Sequence, residues 1–528
     1  MHCTCVRHTD LPGTTRLFAD VLYHPDRTAA FYQHPIRALD EFRASAASID
    51  LAPERRAALI DALRIQNSGS PSLERLAKPG TVAVVTGQQV GLFSGPAYTM
   101  YKVLHAVRLA AWLTENGIDA VPVFWLATED HDFAEVNHAW VFDAEHRPHK
   151  VEMRRSAVEQ PVGTVMLAAI PVAEMLAELR AAMRGLPFAD EVVALAEETY
   201  RPGATMGDSF AGLLRRLLAR FDILYVDPML PAFRELAAPA LRAAVDAAPD
   251  LTARVLERNR DLAGAGYHAQ VHVEEQTSLV FLLEGGKRLN LRRSGRNYVH
   301  NSRRFTSEEL KERAASLSPN AILRPVIQDS MLPTVAYIGG PAEIAYLAQS
   351  ERIYSQLLGR MPVAVPRTGF TVLDARSAKL MDRYQLSITD LFQSETAFRE
   401  RVASRLIPPQ LSTHLLESSA AIDKTVARLH SEMRAFDATL AQALDHSAKK
   451  IRYQLDKIAR KAGREAMRRE ERAAKDADSL YGLIYPERHL QERLYSMLPL
   501  LATHGLDLVQ TVHDAIELDC PDHRLMVA

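Results

Sequence analysis

The feature that most constrains the fold is a recurring order of short apolar run, glycine-containing loop and long amphipathic segment. Thr81–Thr86 and Val121–Ala127 are Val-rich or apolar runs, and residues 96–116 place apolar side chains at helical spacing. Such runs predict buried strands, and the spacing predicts a helix between them. Shorter runs near 223–227 and at 334–338 resemble further strands. Because strands that alternate with helices form parallel sheets, the sequence predicts an α/β core.

The rest of the sequence divides the chain into unlike segments. Residues 138–305 contain stretches that alternate like antiparallel strands and stretches rich in Ala and Leu, which predicts mixed β and helical insertions. From about residue 390 apolar residues recur at spacings of four and three, which predicts a coiled coil. The predicted divisions are 1–137 for the first part of the core, 138–305 for the insertions interleaved with the strand near 223–227, 306–388 for the second part of the core, 389–480 for the coiled coil and 481–528 for a segment that packs back on the core.

The predicted coiled coil has one apolar seam, which must be buried against another surface. We expect a homodimer through the coiled coil, with a helical hairpin within one chain as the alternative. Residues 449–475 are also rich in Lys and Arg, which we interpret as a solvated helix face. An RNA-binding arm is the alternative, although Tyr453 is the only aromatic residue there. The seam consists of Ile422, Val426, Leu429, Met433, Phe436, Leu440, Ala443, Ala448, Ile451, Leu455, Ile458 and Ala462.

Composition excludes several classes of protein. The 63 Lys and Arg residues against 65 Asp and Glu give a net charge of −2, so no overall basic field favours nucleic acid. The cysteines, Cys3, Cys5 and Cys520, provide no disulfide framework, and no apolar run approaches a membrane span. We expect a cytoplasmic protein without a signal peptide, a membrane or nucleic-acid partner, or a structural zinc. We interpret Cys3 and Cys5 as part of a disordered terminus.

The loop from Gly87 to Pro96 joins a predicted strand to a predicted helix. Its glycines allow a ligand to approach the backbone, and Ser94 and Pro96 suit the cap and first turn of the helix. Free N–H groups at a helix N-terminus attract phosphate or carboxylate. The loop matches neither the Walker nor the dinucleotide pattern, and a tight turn with two hydrogen-bonding glutamines is the alternative. The residues assigned here to ligand binding are Gln88, Gln89, Gly91, Ser94, Gly95 and, two helical turns on, Lys102.

Four consecutive ionisable residues, Glu129–Asp132, follow the second predicted strand. Packing does not explain such a cluster, because desolvating charged groups is costly. The cluster could orient an amine, act as acid and base, or bind Mg²⁺ through Asp130 or Asp132, and a solvated turn with one capping Asp is the alternative. Because His131 lies between two acids, we expect its protonated form to be favoured. We assign catalysis to Asp130, His131 and Asp132, binding to Glu129, Asn137 and His138, and no residue to a metal.

A third segment repeats the order of strand, glycine, proline and helix at Gly339-Gly340-Pro341. In doubly wound sheets, ligands bind beyond the carboxyl ends of the strands. The loops after the three strands should therefore meet at one cleft. We assign to this cleft Arg324, Gln328, Asp329, Gly339, Gly340 and Glu343.

Three stretches together resemble the bacillithiol biosynthesis cysteine-adding enzymes, and the resemblance covers nearly the whole chain. They are VVTGQQVGLFSGPAYTMYK, PVFWLATEDHDFAEVNH and LRPVIQDSMLPTVAYIGGPAEIAY. The resemblance implies a Rossmann-like core related in shape to class I aminoacyl-tRNA synthetases, connecting insertions, and a coiled coil that mediates dimerisation. The implied reaction joins cysteine to glucosaminyl-malate in the last step towards bacillithiol. The synthetase signatures HIGH and KMSKS are absent from the sequence.

Amide formation from a free carboxylate in water requires activation of that carboxylate, normally by a nucleotide. We therefore expect ATP or ADP as a ligand, with Mg²⁺ as an option. Electrostatic clamping of the phosphates and positioning of the amine would supply most of the rate. The alternative function is a nucleotidyl or aminoacyl transferase that acts on RNA through the basic coiled coil.

Overall fold

A parallel sheet of five strands lies at the centre of the structure, a computed structural model that describes residues 2–154 and 160–528. Most strands of the structure belong to this sheet or to the antiparallel sheet of the insertions. In chain order the strands are β1 (His2–Val6), β2 (Val82–Gln89), β3 (Ala120–Ala127), β4 (His138–Phe142), β5 (Pro148–Glu152), β6 (Leu224–Val226), β7 (Thr277–Glu284), β8 (Lys287–Ser294), β9 (Asn297–His300), β10 (Arg303–Thr306), β11 (Leu317–Pro319), β12 (Thr334–Gly339), β13 (Val363–Pro366), β14 (Phe370–Leu373) and β15 (His523–Val527).

Helices make up most of the remaining described chain. They are α1 (Arg16–Tyr23), α2 (Pro25–Thr28), α3 (Leu39–Ala47), α4 (Pro53–Asn67), α5 (Pro71–Leu76), α6 (Tyr98–Glu115), α7 (Phe133–Val136), α8 (Ala169–Ala182), α9 (Ala189–Thr199), α10 (Met206–Leu217), α11 (Pro231–Asp246), α12 (Ala248–Gly264), α13 (Ser307–Glu312), α14 (Arg324–Met331), α15 (Pro341–Leu357), α16 (Ala375–Arg383), α17 (Glu395–Arg405), α18 (Pro409–Phe436), α19 (Ala438–Arg469), α20 (Glu471–Ile484), α21 (Gln491–Leu494), α22 (Met497–His504) and α23 (Leu508–Asp514).

The central sheet has the strand order β13-β12-β2-β3-β6, and every neighbouring pair is parallel. The α/β prediction is therefore confirmed, and the carboxyl ends of β2, β3 and β12 meet at one edge. Sequence analysis missed β13, the four-residue strand Val363–Pro366.

Successive side chains of β2 belong to different cores, as the pleat of a strand requires. Val82 and Val84 pack with α3 and α6 on one face of the sheet. Ala83 and Val85 pack with α4, α11 and α15 on the other face. Helices cover both faces, so the sheet is a doubly wound, Rossmann-like core. The side left open is the one formed by the carboxyl ends of the strands and the loops that follow them.

The insertions are antiparallel, as their alternation predicts. β4 and β5 form one hairpin, and β7–β11 form a sheet in the order β10-β9-β8-β7-β11. The β7–β8 turn contains Gly285 and Gly286 with φ of 58° and 75°, a conformation that favours glycine. Residues 155–159, which belong to the predicted insertions of 138–305, lie outside the described residues.

Both ends of the chain join one small sheet. β15 pairs antiparallel with β1 and parallel with β14, so residues 481–528 pack on the core through this sheet and the helices before it. The interpretation of Cys3 and Cys5 as part of a disordered terminus is wrong, because both residues lie in β1. Cys3 pairs with Met526 and Cys5 with Arg524.

The coiled coil is an antiparallel hairpin of α18 and α19, which turns at Asp437. Arg452 of α19 forms an ion pair with Asp423 of α18 at 2.6 Å, so the two helices contact each other well away from the turn. The predicted seam is partly correct, because its members in α18 up to Met433 are half-buried against α19. Phe436, Ile451 and Ile458 are instead 86%, 42% and 55% exposed, so the hairpin does not bury them. No helix in the described part of the chain is long and apolar enough to cross a membrane.

Candidate active site

A cavity of about 690 Å³ opens at the carboxyl edge of the central sheet. The ends of β2 and β3, the segment before α14 and the start of α15 line it, together with β7 and β8 of the insertion sheet. Sequence analysis assigned eighteen residues to one cleft, and the structure brings nine of them to this cavity. These nine are Gln88, Gln89, Glu129, Asp130, His131, Asp132, Arg324, Gly340 and Glu343.

Asp130 is the most strongly bound carboxylate of the acidic turn. Its oxygens accept hydrogen bonds from Gln89 Nε2 at 2.5 Å and from the backbone N–H of His131 at 2.7 Å, and Arg288 Nη1 lies 3.5 Å away. Burial would raise the pKa of Asp130, but Gln89, Arg288 and the backbone N–H outweigh it and hold the pKa below its usual value. Asp130 is therefore a carboxylate at neutral pH, suited to hold a cation and poorly suited to accept a proton.

His131 has a different setting from the one the sequence suggests. Arg288 Nη1 lies 3.2 Å from His131 Nδ1, whereas Asp130 Oδ1 is 3.7 Å from the same nitrogen. A guanidinium only donates hydrogen bonds, so Nδ1 must be the acceptor and the ring proton must lie on Nε2. With Nδ1 as the acceptor, Nε2–H is left as a donor.

Glu129 lies in the cavity wall and its charge is already neutralised. It forms a buried ion pair with Arg234 of α11 and accepts a hydrogen bond from Ser318 Oγ at 2.8 Å. The three acids of the turn therefore do not simply repel one another, because Arg234 and Arg288 compensate two of them. Asp132 is exposed and caps α7 by accepting from the backbone N–H of Glu135 at 3.2 Å.

Lys102 contacts two of the cavity-lining residues from the buried side of the wall. Its side chain is 1% exposed, and Nζ donates to Glu343 Oε2 at 2.7 Å and to Gln88 Oε1 at 2.9 Å. Burial lowers the pKa of Lys102, while the Glu343 carboxylate opposes that shift. Lys102 therefore fixes two lining residues and does not itself offer a free charge to a ligand.

The start of α15 faces the cavity through Gly340, Pro341 and Ala342. Glu343 closes this first turn, because it accepts from the backbone N–H of Gly340 at 2.8 Å and from the hydroxyl of Tyr337 at 2.7 Å. Gly339 is needed for close packing here, since a side chain at that position would lie 3.1 Å from Glu343 Cβ.

The start of α6 is covered by the C-terminal segment. The backbone N–H of Ala97 donates to the carbonyl of Tyr495 at 2.7 Å, and α6 begins at Tyr98 with no side-chain cap. Ser94 is fully buried with φ of 73°, so the prediction that it caps the helix is wrong. Gly91, Ser94 and Gly95 do not line the cavity.

Arg324 is the main cation of the α14 side. Its guanidinium donates to Gln328 Oε1 at 2.9 Å and to the hydroxyl of Tyr346 at 2.9 Å, so Gln328 orients it from behind. Asp329 is 2% exposed and accepts from Thr334 Oγ1 at 2.6 Å; burial raises its pKa. Gln328 and Asp329 therefore support the wall and do not line the cavity.

Asn137 and His138 lie at the start of the β4–β5 hairpin, away from the lining residues. Asn137 Nδ2 donates to Glu152 Oε1 at 3.2 Å, and Asn137 Oδ1 lies 3.2 Å from His138 Nδ1. Their contacts are those of a strand that begins a hairpin, and nothing in their position brings them to the acidic turn.

Sequence analysis missed three arginines that line the cavity: Arg288, Arg367 and Arg493. Arg367 forms a buried ion pair with Glu492 at 2.7 Å, which lowers the pKa of Glu492 to about 2 although burial would raise it. Arg367 directly follows β13, so the missed strand hid it. Arg493 is exposed and forms no ion pair with the described residues, and no local pattern marks either it or Arg288.

The carboxylates and guanidinium groups that line the cavity decide which ligands fit it. The acidic turn is a poor fit for a protein-held Mg²⁺, because Asp130 Oδ1 is taken up by backbone N–H groups and Arg288, which leaves chiefly Oδ2; one oxygen can accept from an ammonium but does not supply a metal's ligand set. The side of the cavity at β12 and β13 fits an anionic ligand such as a nucleotide phosphate, because the guanidinium groups of Arg324 and Arg367 lie there.

Two family descriptions match the chain in succession. "Bacillithiol biosynthesis BshC, N-terminal Rossmann-like domain" matches residues 1–368, and "Bacillithiol biosynthesis BshC, C-terminal coiled-coil domain" matches residues 370–526. A solved structure titled as a putative arginyl-tRNA synthetase from Campylobacter jejuni is 11% identical and covers 89% of this chain and 99% of its own, with a TM-score of 0.21. A TM-score this low does not establish a shared fold.

Curated relatives carry the same family name over their full length. A protein of Solibacter usitatus named "Putative cysteine ligase BshC" is 71% identical over 527 residues, which cover 100% of both chains. The protein of that name from Koribacter versatilis is 36% identical and covers 99% of each chain, and that from Salinibacter ruber is 28% identical over 97% of this chain and 96% of its own. In both of its domains, the chain belongs to the BshC family of bacillithiol biosynthesis.

Proposed function

We propose that the chain is a cytoplasmic ligase that adds cysteine to glucosaminyl-malate, with nucleotide-dependent activation of the cysteine carboxylate. The names of its relatives support the reaction class. The observation that carries the finer proposal is the charge pattern of the cavity. Asp130 and Asp132 follow β3, with Arg288 beside Asp130, while Arg324 and Arg367 lie at β12 and β13, on the other side of β2, and Arg493 also lines the cavity.

This pattern matches a substrate that is cationic at one end and anionic at the other. Glucosaminyl-malate has an amine on its sugar and two carboxylates on its malate. Asp130 stays ionised because its pKa is held low, so it can bind the sugar ammonium. The arginines suit the malate carboxylates or the phosphates of a nucleotide.

In the proposed reaction the sugar amine attacks the carbonyl carbon of the activated cysteine carboxylate. The carbon–oxygen bond to the phosphate side breaks, and an amide forms. Asp130 holds the sugar ammonium, which first loses one proton to the exposed carboxylate of Asp132 and through it to solvent, so that the free amine attacks. The nitrogen loses a second proton to solvent as the tetrahedral intermediate collapses to the amide. His131 donates through Nε2–H to the oxygen that gains negative charge as the tetrahedral intermediate forms. The departing phosphate group leaves towards the arginines.

The test supplies purified protein with cysteine, glucosaminyl-malate and ATP, and follows the products by mass spectrometry. We expect a thiol product whose mass is the sum of the two substrates less one water, together with a stoichiometric nucleotide product. The identity of that product, AMP or ADP, reports whether an acyl-adenylate or an acyl-phosphate formed. Absence of the amide at protein concentrations that bind both substrates would refute the proposal.

Family membership favours this function over an RNA-linked transferase. The basic stretch of α19 is partly paired with acids of the hairpin, as in the contact of Arg452 with Asp423, and Glu465 accepts from Arg468 at 2.9 Å. Such pairing is what a solvated helix face requires, and the family description assigns this domain a coiled coil.

We also propose that a second copy of the chain covers the exposed apolar residues of the hairpin. Ile451 and Ile458 lie seven residues apart on one side of α19, where a partner helix would bury them. Changing both to Glu should convert a dimer to a monomer in light scattering without loss of the helical signal. Lys457→Glu, on an exposed position of the same helix, should leave the dimer intact. A wild-type monomer at micromolar concentration would refute this assembly.

A further inference from the structure

The three cysteines of this chain meet at one place, although two lie at its beginning and one near its end. Cys3 and Cys5 alternate with Thr4 along β1, so they point to the same face of the strand. Cys520 lies in the segment before β15, and its Sγ is 3.7 Å from Cys5 Sγ. This distance is a van der Waals contact between two free thiols, and the antiparallel pairing of β1 with β15 holds it in place.

The two thiols differ in access. Cys5 is exposed, whereas Cys520 is half-buried, and burial raises the pKa of the Cys520 thiol. A reagent from solvent therefore reaches Cys5 first. Arg524, which is 3% exposed, places Nη1 at 3.2 Å from Cys5 Sγ, where a guanidinium compensates the negative charge of a thiolate that attacks or leaves.

A metal ion fits this cluster less well than an oxidant does. The ligand atoms of Cys5, Cys520 and Asp522 lie within 4.8 Å of one another, which is close enough for a shared cation. Arg524, which is ion-paired with Glu517, already contacts Cys5 Sγ, and a structural zinc requires a fourth ligand. Asp522 is also occupied, because it accepts from the hydroxyl of Tyr23 at 2.7 Å.

We propose that Cys5 and Cys520 form a thiol-modification site at which a low-molecular-weight disulfide converts the two thiols into an intramolecular disulfide. Cys5 thiolate attacks one sulfur of the disulfide, so that a mixed disulfide forms at Cys5 and one small thiolate leaves. Cys520 thiolate then attacks the sulfur of Cys5, and the second small thiolate leaves. The protein loses two electrons and two protons, which the reagent takes up as two thiols.

The reaction needs little movement of the sulfur atoms. A disulfide bond is about 2.05 Å long, so the two Sγ atoms approach by less than about 2 Å from their present separation. The product would tie β1 to the segment before β15. The link would therefore fasten the antiparallel pair of β1 and β15, through which the two ends of the chain join one sheet.

The test treats the fully reduced protein with glutathione disulfide and measures its intact mass after acid quenching. Wild type should lose the mass of two hydrogens, retain no glutathionyl group and keep one free thiol. A non-reducing tryptic digest should then contain residues 1–7 joined to the peptide that carries Cys520. Cys520→Ser should instead retain one glutathionyl group at Cys5, because the second thiol is missing.

Cys3→Ser is the matched control, since it removes the neighbouring thiol of the same strand and should form the disulfide as wild type does. Three results would overturn the proposal. They are a stable glutathionyl adduct on wild type without the cross-link, loss of the cross-link in Cys3→Ser, and one tightly bound Zn²⁺ per chain that Cys520→Ser abolishes. The last result would identify a metal site in place of an oxidation site.

Discussion

Two loops of this protein have the same order of strand, glycine, proline and helix, and the structure uses them differently. In the loop after β2, Phe93, Ser94 and Gly95 all have positive φ, and the following helix start donates to the carbonyl of Tyr495. In the loop after β12, Gly340 has an ordinary extended backbone, and the start of α15 opens into the cavity. The first loop is therefore closed and the second is open.

The difference shows that a local pattern predicts the shape of a turn but not what covers it. The C-terminal segment, far away in the sequence, occupies the position where a ligand would approach the start of α6. The strand before the first loop still contributes to the site, because Gln88 and Gln89 lie at the end of β2. Four tests address this contrast, from the largest expected effect to the smallest.

The closed state of the first loop should depend on pH, because neutral histidines lie where the C-terminal segment packs. Burial lowers the pKa of His8 and His105 to about 3 and that of His523 to about 4. In the unfolded chain these histidines bind protons below about pH 6.5, whereas in the folded chain they stay neutral down to about pH 4. Between these two pH values the unfolded state binds more protons, so the free energy of unfolding falls as pH falls. From pH 7 to pH 5 we expect a loss of about 2 kcal/mol for each histidine, as measured by urea unfolding.

Asp130→Asn is the control for that experiment, because the acidic turn is remote from these histidines and should leave the slope unchanged. A stability that stays constant between pH 7 and pH 5 would mean that the histidines are not buried in neutral form. The cover over the first loop would then be weaker than the structure indicates.

Lys102→Ala should destabilise the fold, in contrast to a ligand-binding lysine, whose loss would leave stability unchanged. The change leaves Glu343, whose side chain is 19% exposed at the cavity, without its cation, so we expect a loss below the roughly 3–5 kcal/mol that breaking a fully buried pair costs. Urea unfolding at pH 7 measures the loss. The double variant Lys102→Ala/Glu343→Gln should recover part of it, because no unpaired charge remains; equal stability of Lys102→Ala and wild type would contradict the buried pair.

Asp130→Asn should lower cysteine addition by about 100-fold, the usual scale for losing a positioned acid–base or charge contact. The amide of Asn can still accept from the backbone N–H of His131, so thermal stability should change little. The measurement is kcat/KM for the sugar substrate. If the variant turns over at the wild-type rate, the acidic turn is a solvated cap and does not form the active site together with the loop after β12.

The α/β core and the meeting of three loops could be predicted because strand periodicity and sheet topology are local or general properties. Asp130, His131 and Arg324 were found in this way. Arg288 could not be found, because it lies on an insertion strand that looks like an ordinary solvated β-strand until it packs beside the acidic turn. Ser94 was misplaced for the opposite reason, since the start of the following helix is covered through the contact of Ala97 with Tyr495, residues about four hundred positions apart.

The most direct test of the contrast is calorimetric titration of ATP into wild type, Arg493→Ala and Ser94→Ala. Arg493 belongs to the open side and its exposed side chain supports no ion pair among the described residues, so its removal should spare the fold. We expect about tenfold weaker ATP binding for Arg493→Ala, the loss of one charge-assisted hydrogen bond, and an affinity within about twofold of wild type for Ser94→Ala. The reverse order, with binding lost in Ser94→Ala and kept in Arg493→Ala, would show that the ligand binds at the loop after β2 and would contradict this account.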